Sequence, residues 1–259
     1  MGKDNAIITI LLALFSSVSC IDGRRFDIDE QTPSIPTEIS DTDYSEYQTL
    51  VPELSGLCFT QNNASLLTVS DRGGIFEIGF DGKIIKQFPY NKGNDFEGIT
   101  MNHATGEIYI ADEANMTIYK LSEDGTSISE VVKINVPNAV YNRGLEGVAY
   151  GRDTLYIVNQ ASPTRLFKYS LLSKTISYID VSFATYLSDI CFDETDNTLW
   201  IVDSKRGNII HCDRNANVLH TQSISFIAKA EGLAIDRQNK IAWVGCDSSS
   251  KLYKVKLKN

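Results

Sequence analysis

The feature that most constrains the fold is an internal repeat with a period near 42 residues. A short motif occurs five times: an apolar residue, then Ser or Glu, then Gly or Asp, then further apolar residues. Its third positions lie 42, 49, 42 and 43 residues apart, at Gly56, Gly98, Gly147, Asp189 and Gly232. A fixed period in this range is typical of repeat architectures, in which each unit is one supersecondary structure.

Each motif starts the first of four short apolar runs in its unit. The second run is apolar throughout, as in 155–158, and the third alternates, as in 251–255. Asp-Gly turns, such as Asp81-Gly82, precede the fourth run, and this pattern indicates strands joined as hairpins. Four strands per unit at this period are typical of a propeller blade. We therefore predict an all-β fold over residues 44–259, a five-bladed β-propeller with four-stranded blades.

The last unit reaches the end of the sequence after only three strands. A segment before the first unit, Tyr44 to Val51, has the composition of the missing fourth strand. Pairing it with the last unit closes the ring and removes two edge strands that would otherwise be free to aggregate. We predict that the last blade is closed by this N-terminal strand.

The first residues are typical of a secretory signal peptide over 1–19. Lys3 precedes an apolar run, 6–15, that is too short to span a bilayer, and small residues follow it up to Ser19. Cys20 comes next, as in the lipobox of bacterial lipoproteins, where the cysteine is lipidated and becomes the mature N-terminus. The alternative is ordinary cleavage after Ser19, which leaves a free cysteine. On the first interpretation, residues 20–43 are a lipidated cysteine and an acidic tether, and the protein lies in the bacterial cell envelope, at the outer membrane or in the periplasm.

Charge excludes one class of partner. The chain has 33 acidic and 24 basic residues, a net charge of -9, whereas nucleic-acid binding needs clustered positive charge. An oxidising compartment permits disulfides, but Cys58 and Cys191 occupy equivalent positions in two repeats, within apolar strands. We interpret them as small buried side chains. The expected partners are the membrane, through a lipid at Cys20, and a protein or small molecule on a propeller face, with the chain itself a monomer.

The second position of each motif is the candidate functional position. The first strand of a propeller blade lines the central channel, so these side chains should form a ring. Its members are Ser55, Glu97, Glu146, Ser188 and Glu231. Glycine at the next position allows the backbones of neighbouring blades to approach closely. Three carboxylates around a narrow axis repel one another, so they take up protons or recruit a cation. Ca²⁺ suits such an oxygen-rich ring. The alternative is that each Glu accepts hydrogen bonds from backbone amides of the adjacent blade.

A second polar layer follows the second strand of every blade. The pairs are Ser70-Asp71, Asp112-Glu113, Asn159-Gln160, Asp203-Ser204 and Cys246-Asp247. They are either site residues on loops or turn residues that satisfy loop backbone groups. Beyond Glu97, Glu146 and Glu231, the further candidate ligands are Ser55, Ser188, Asp189, Asp71, Glu113 and Asp247.

These motifs resemble the SdiA-regulated (YjiK-like) family. The resemblance rests on Leu54-Ser55-Gly56-Leu57, Phe96-Glu97-Gly98-Ile99 and Ala230-Glu231-Gly232-Leu233, and on the order of the ring residues, across roughly 46–257. It implies a five-bladed propeller related to NHL repeats, with a calcium site in the channel at Glu97, Glu146 and Glu231. It implies no established catalytic activity.

Two functions remain open from the sequence. The first is a non-enzymatic, Ca²⁺-binding lipoprotein that presents a propeller face to a ligand or protein. The second is a Ca²⁺-dependent hydrolase of a lactone, ester or phosphoester, in which the ion would activate water. The three histidines do not form a catalytic constellation, and no Gly-x-Ser-x-Gly elbow or phosphate-binding loop occurs.

Overall fold

The computed structural model describes residues 43–136, 140 and 142–258. It confirms the predicted class: twenty strands form five separate four-stranded antiparallel sheets, arranged as the blades of a propeller. No helix in these ranges is long and apolar enough to cross a membrane. The expected signal peptide, Cys20 and nearly all of the tether lie outside the described residues.

The strands follow the repeat. β1 (Tyr44–Gln48) comes first, and blade 1 consists of β2 (Leu54–Phe59), β3 (Leu66–Ser70), β4 (Ile75–Ile78) and β5 (Ile84–Gln87). Blade 2 consists of β6 (Phe96–Asn102), β7 (Glu107–Asp112), β8 (Thr117–Leu121) and β9 (Ile128–Lys133). Blade 3 consists of β10 (Leu145–Gly151), β11 (Thr154–Asn159), β12 (Arg165–Ser170) and β13 (Ile176–Asp180). Blade 4 consists of β14 (Leu187–Asp193), β15 (Thr198–Asp203), β16 (Asn208–Cys212) and β17 (Val218–Ser223). Blade 5 consists of β18 (Ala230–Asp236), β19 (Ile241–Cys246), β20 (Lys251–Lys256) and β1.

The predicted closure of blade 5 is confirmed. β1 pairs antiparallel with β20, from Tyr44 opposite Val255 to Gln48 opposite Lys251. The pairing continues past the strand, because the amide of Lys256 donates to the carbonyl of Asp43. The ring is thus held shut by backbone hydrogen bonds between segments that are about 200 residues apart in sequence.

The hydrophobic core lies between the blades. Five apolar clusters each draw on two neighbouring blades, so every blade buries both faces of its sheet. The second strands show this most clearly, because all six residues of β15 are buried, while all four residues of the outermost strand β5 are exposed. This explains why the second runs read as continuously apolar: a strand that is covered on both faces has no polar side.

The inner strands meet backbone to backbone at the glycine positions. A Cβ on Gly56 would lie 2.8 Å from the Cα of Gly98, and a Cβ on Gly98 would lie 2.8 Å from the Cα of Gly147. Each of the five inner strands also has a β-bulge at this point. The predicted role of glycine in close blade contact is therefore confirmed, and the bulge re-aims the backbone next to the axis.

All four cysteines in the described part of the chain are free thiols. Cys58 and Cys191 are half-buried at equivalent places on β2 and β14, as their positions in the repeat predict. Burial raises the pKa of the Cys191 thiol to about 12, so this side chain is an uncharged thiol at neutral pH.

Candidate functional site

Three rings of residues surround the end of the channel where the inner strands begin. The hub ring is the predicted one, Ser55, Glu97, Glu146, Ser188 and Glu231. The loop ring is the first residue after each second strand: Asp71, Glu113, Gln160, Ser204 and Asp247. The rim ring lies two residues before each hub residue: Glu53, Asp95, Gly144, Tyr186 and Lys229. Each blade therefore contributes one residue to each ring.

One backbone hydrogen bond, repeated in all five blades, fixes the rings relative to one another. In each blade the amide of the loop-ring residue donates to the carbonyl of the rim-ring residue. The five distances are 3.2 Å for Asp71 to Glu53, 2.9 Å for Glu113 to Asp95, 2.8 Å for Gln160 to Gly144, 3.1 Å for Ser204 to Tyr186 and 3.3 Å for Asp247 to Lys229. The loop and rim side chains are thus held on a regular scaffold, although their chemistry differs from blade to blade.

The two members of each predicted polar pair have different roles. The first member ends the second strand and bonds to the loop that leads into the inner strand. Asp203, for example, accepts hydrogen bonds from the amides of Thr185 and Tyr186, at 2.9 and 3.2 Å, and the Ser70 hydroxyl donates to the carbonyl of Pro52 at 2.7 Å. The second member belongs to the loop ring. The first members are therefore structural, and the candidate site residues are the second members.

Residues of all three rings line a cavity of about 680 Å³, in which acid groups outnumber the two lysines, Lys205 and Lys229. Six carboxylates face it: Asp71, Asp95, Glu97, Glu113, Glu146 and Glu231. Five of them were predicted from the sequence, and Asp95 was not. Because the hub residues Glu97 and Glu146 are 8% and 3% exposed, water screens their mutual repulsion poorly.

Asp71, Asp95 and Glu97 form the tightest group. Each offers one carboxylate oxygen, and the three oxygens all lie within 4.8 Å of one another. Asp71 comes from blade 1, whereas Asp95 and Glu97 come from blade 2, so the group joins two blades. The Ser55 hydroxyl of blade 1 is close enough to the Glu97 carboxyl to lower its pKa, yet it is buried and makes no hydrogen bond of ordinary geometry.

Burial and crowding shift the acid groups toward their protonated forms. Burial first, and then the charge of Glu231, raises the pKa of Glu97 well above its usual range, and the same causes, with Glu97 as neighbour, act on Glu146. Burial raises the pKa of Asp95 to about 6, with help from Asp71. The pKa of Glu231 is raised to about 7, mainly by burial, because its neighbour Lys229 only partly opposes the rise. A cation in this cavity would oppose these shifts by favouring the ionised carboxylates.

The other carboxylates of the cavity accept hydrogen bonds from neighbouring polar groups. The Gln160 side chain donates to Glu146 at 2.6 Å, and the amide of Gly144 donates to Glu113 at 2.6 Å. In blade 4 the Ser188 hydroxyl donates to Ser204 at 2.6 Å. These contacts leave Asp71, Asp95 and Glu97 as the group with the greatest excess of acceptors over donors.

Asp189 lies apart from this cavity, on the axis itself. Its Oδ2 accepts from the amides of Leu57 at 3.1 Å and Leu233 at 2.6 Å, and its Oδ1 accepts from its neighbour Ile190 at 2.8 Å. The three amides belong to blades 1, 5 and 4. Asp189, which stands where the other blades have glycine, thus links the inner strands of blades 1, 4 and 5 at the centre of the propeller.

Sequence reasoning missed two charged residues of the rim ring, Asp95 and Lys229, and also Lys205 of blade 4, which lines the cavity. The ammonium of Lys229 pairs with Asp247 and lies 3.6 Å from Oε1 of Glu231. Asp95 and Lys229 each stand two positions before a glutamate of the hub ring. This fixed spacing from the hub ring is a signal in the sequence that could have identified them. It is hard to recognise, because the five rim residues share no common side-chain chemistry.

A second cavity, of about 890 Å³, lies at the opposite end of the channel. It is lined by the later halves of all five inner strands, with apolar side chains such as Leu57 and Ile99 beside charged ones such as Asp193, Asp236 and Arg237. The two ends of the channel are therefore chemically different: carboxylates dominate one, whereas the other combines apolar side chains with charged groups of both signs.

The comparisons with solved structures show the fold alone, because all identities are low. Myxococcus xanthus glutaminyl cyclase matches with a TM-score of 0.63 and 11% identity, over 82% of this chain and 93% of that chain. A nidogen/laminin complex matches with a TM-score of 0.58 and 13% identity, over 80% and 77%. Virginiamycin B lyase from Staphylococcus aureus matches with a TM-score of 0.50 and 19% identity, over 79% and 66%.

The sequence comparisons are more specific. No curated protein shows significant sequence similarity to the chain. The family model described as SdiA-regulated matches residues 36–183, which is more than half of the sequence and covers blades 1, 2 and 3. The resemblance inferred from the repeat motifs is thereby confirmed, and the chain belongs to the SdiA-regulated family.

Proposed function

We propose that the acidic end of the channel binds Ca²⁺ at Asp71, Asp95 and Glu97. The observation that carries this proposal is the convergence of three carboxylate oxygens within 4.8 Å of one another, at the edge of a cavity of about 680 Å³. Hard cations with flexible geometry prefer such oxygen donors. The group includes neither His nor Cys, so it does not suit zinc or copper.

The residues fit the ion in two further respects. The unpartnered Ser55 hydroxyl beside Glu97 is a buried oxygen whose lone pairs have no donor in the described structure. Burial and neighbouring carboxylates raise the pKa values of Asp95 and Glu97, and a cation bound beside them would favour their ionised forms and relieve that penalty. A bound ion would also link blade 1 to blade 2, because its ligands come from both.

The setting we propose is the bacterial cell envelope. A signal peptide over 1–19 and lipidation of Cys20 would place the propeller outside the cytoplasm, attached to a membrane through the acidic tether. In this proposal the ion is structural, the protein is non-enzymatic, and a propeller face receives a protein or small-molecule ligand.

One observation favours the second candidate function, a Ca²⁺-dependent hydrolase. Ca²⁺ takes six to eight ligands, whereas the three carboxylates supply fewer, and the cavity beside them is far larger than an ion. On this second proposal, a small oxygen-rich molecule would occupy that space. Two of the similar structures are enzymes by their descriptions, but at 11% and 19% identity they support the fold and not an activity.

The test is a pair of melting curves of the mature chain, in EDTA and with millimolar CaCl₂. If free calcium exceeds Kd about 100-fold, binding stabilises the fold by about 2.7 kcal/mol, which for a domain of this size raises Tm by roughly 5–10 °C. Asp95→Asn should lose most of this gain. In EDTA the same variant should melt no lower than the wild type, because it removes a repelling charge.

The matched control is Asp180→Asn, a carboxylate that pairs with Arg165 on the outer edge of blade 3, away from the cavity. It should keep the calcium response. Wild-type curves that coincide with and without calcium would show that the site holds no calcium. Calcium-dependent turnover of a lactone, ester or phosphoester by the same preparation would favour the hydrolase instead.

A further inference from the structure

We propose that Lys229 is a counter-cation built into the acidic site, and that it sets the affinity of that site for a divalent ion. The inference rests on the proposed calcium function, and it adds a residue whose positive charge weakens calcium binding. Its basis is that the rim ring contributes an acid next to Glu97, in blade 2, but an ammonium next to Glu231, in blade 5.

The contacts of Lys229 direct its charge into the site. Its Nζ pairs with Asp247 of the loop ring and lies 3.6 Å from Oε1 of Glu231 in the hub ring. Those two carboxylate side chains are 10% and 13% exposed. The ammonium also interacts electrostatically with Glu97, which belongs to the proposed calcium group. One lysine thus partly neutralises the blade 5 side of the cavity.

The backbone at Lys229 places the side chain there. Its φ is 49°, in the left-handed region that residues other than glycine rarely adopt. Glu53, at the same place in blade 1, has a φ of 47°, but its carboxylate pairs with the exposed Arg72. The two blades share one loop geometry, which the bond from the loop-ring amide to the rim carbonyl supports. Of these two rim residues, only Lys229 brings a cation to the cavity, which Lys205 of blade 4 also lines.

The position of Lys229 gives its removal two opposite effects. Without a divalent ion, the ammonium reduces repulsion among the carboxylates, so its loss destabilises the fold. With a divalent ion in the same cavity, the ammonium repels it, so its loss strengthens binding. A lysine that merely completed a surface ion pair would destabilise slightly and leave calcium affinity unchanged.

The experiment is a calorimetric titration of the mature chain with CaCl₂ at low ionic strength, with melting curves in EDTA. Lys229→Met should lower Kd for calcium about three- to tenfold and should lower Tm in EDTA. Lys229→Arg keeps the charge and should stay close to the wild type. Raising the salt concentration should reduce the difference between wild type and Lys229→Met.

The matched control is Lys258→Met. Lys258 has the same side-chain exposure as Lys229, 59%, and pairs with Asp43 at 2.7 Å. Its partner lies next to β1, at the far end of blade 5, so calcium affinity should not change.

The outcomes separate the two proposals. If the wild type binds calcium and Lys229→Met binds it equally or more weakly, the lysine proposal is wrong and the calcium site stands. If only Lys229→Met binds, the lysine proposal is supported and the wild-type calcium site is refuted. Binding by neither chain overturns both. Should Lys229→Met not fold, Lys229→Gln takes its place in the same titration.

Discussion

The carboxylate of Asp189 at the centre of the wheel leads to a specific prediction about its charge. Both oxygens accept hydrogen bonds from N–H groups, at 2.6, 2.8 and 3.1 Å. Burial raises the pKa of this group well above its usual range, because the three amides oppose the rise only in part. Against that shift, we argue that the ionised form is present, because a protonated oxygen would direct its own proton at an amide that is also a donor.

The expected loss of stability follows from the number of N–H donors that face the Asp189 side chain. In Asp189→Asn the side-chain oxygen can still serve Leu57 and Leu233, but the NH₂ group then faces the amide of Ile190. One hydrogen bond to a charged acceptor is lost, at about 1.5–3 kcal/mol, and a buried N–H has no acceptor. We therefore expect a loss of about 3 kcal/mol, or roughly 6–12 °C in Tm at this domain size.

Thermal unfolding at pH 7, followed by circular dichroism, measures the effect, with the exposed Asp180→Asn as the control. If Asp189 were protonated in the folded protein, it would already carry one donor, and asparagine would be close to an isosteric replacement. A change in Tm below about 1 °C would therefore refute the argument that Asp189 is ionised. Because Asp189 does not line the acidic cavity, the calcium response of Asp189→Asn should be retained.

Two further predictions concern pH and the anchor. In EDTA, Tm should fall as pH rises from 5 to 8, because Asp95 and Glu231 have folded pKa values of about 6 and about 7, above those of ordinary carboxyl groups, so the native state binds more protons than the unfolded state across this range. Added calcium should flatten the slope, and a Tm that rises with pH in EDTA would contradict the assignment of charge. Separately, Cys20→Ser should move the protein from the membrane fraction to the soluble fraction, and a variant that stays with the membrane is held by something other than a lipid on that residue.

The repeat made the architecture predictable. The period, the apolar second strands and the glycine positions each reflect a physical requirement that every blade must meet, so they recur in the sequence. The same holds for the hub ring, since every inner strand places one side chain at the start of the channel. The missing strand was predictable as well, because three strands in the last unit leave an unpaired edge that β1 covers.

The rest of the site could not be read in the same way. The rim ring is fixed by a backbone hydrogen bond, which any residue can make, so its side chains are free to differ. Asp95 and Lys229 are a carboxylate and an ammonium at one structural position, and only the fold shows that both face the cavity. The role of Asp189 was hidden for a related reason. Its partners are main-chain amides from three blades. Nearly every residue has such an amide, so the sequence does not indicate which ones bind Asp189.

The closely packed glycines and the carboxylate of Asp189 also separate the two cavities of the channel. Neighbouring inner strands approach each other backbone to backbone at the glycine positions, and Asp189 binds amides of blades 1 and 5 across the axis. The two cavities consequently share no lining residue. A substitution in the lining of one cavity therefore leaves every side chain that lines the other unchanged.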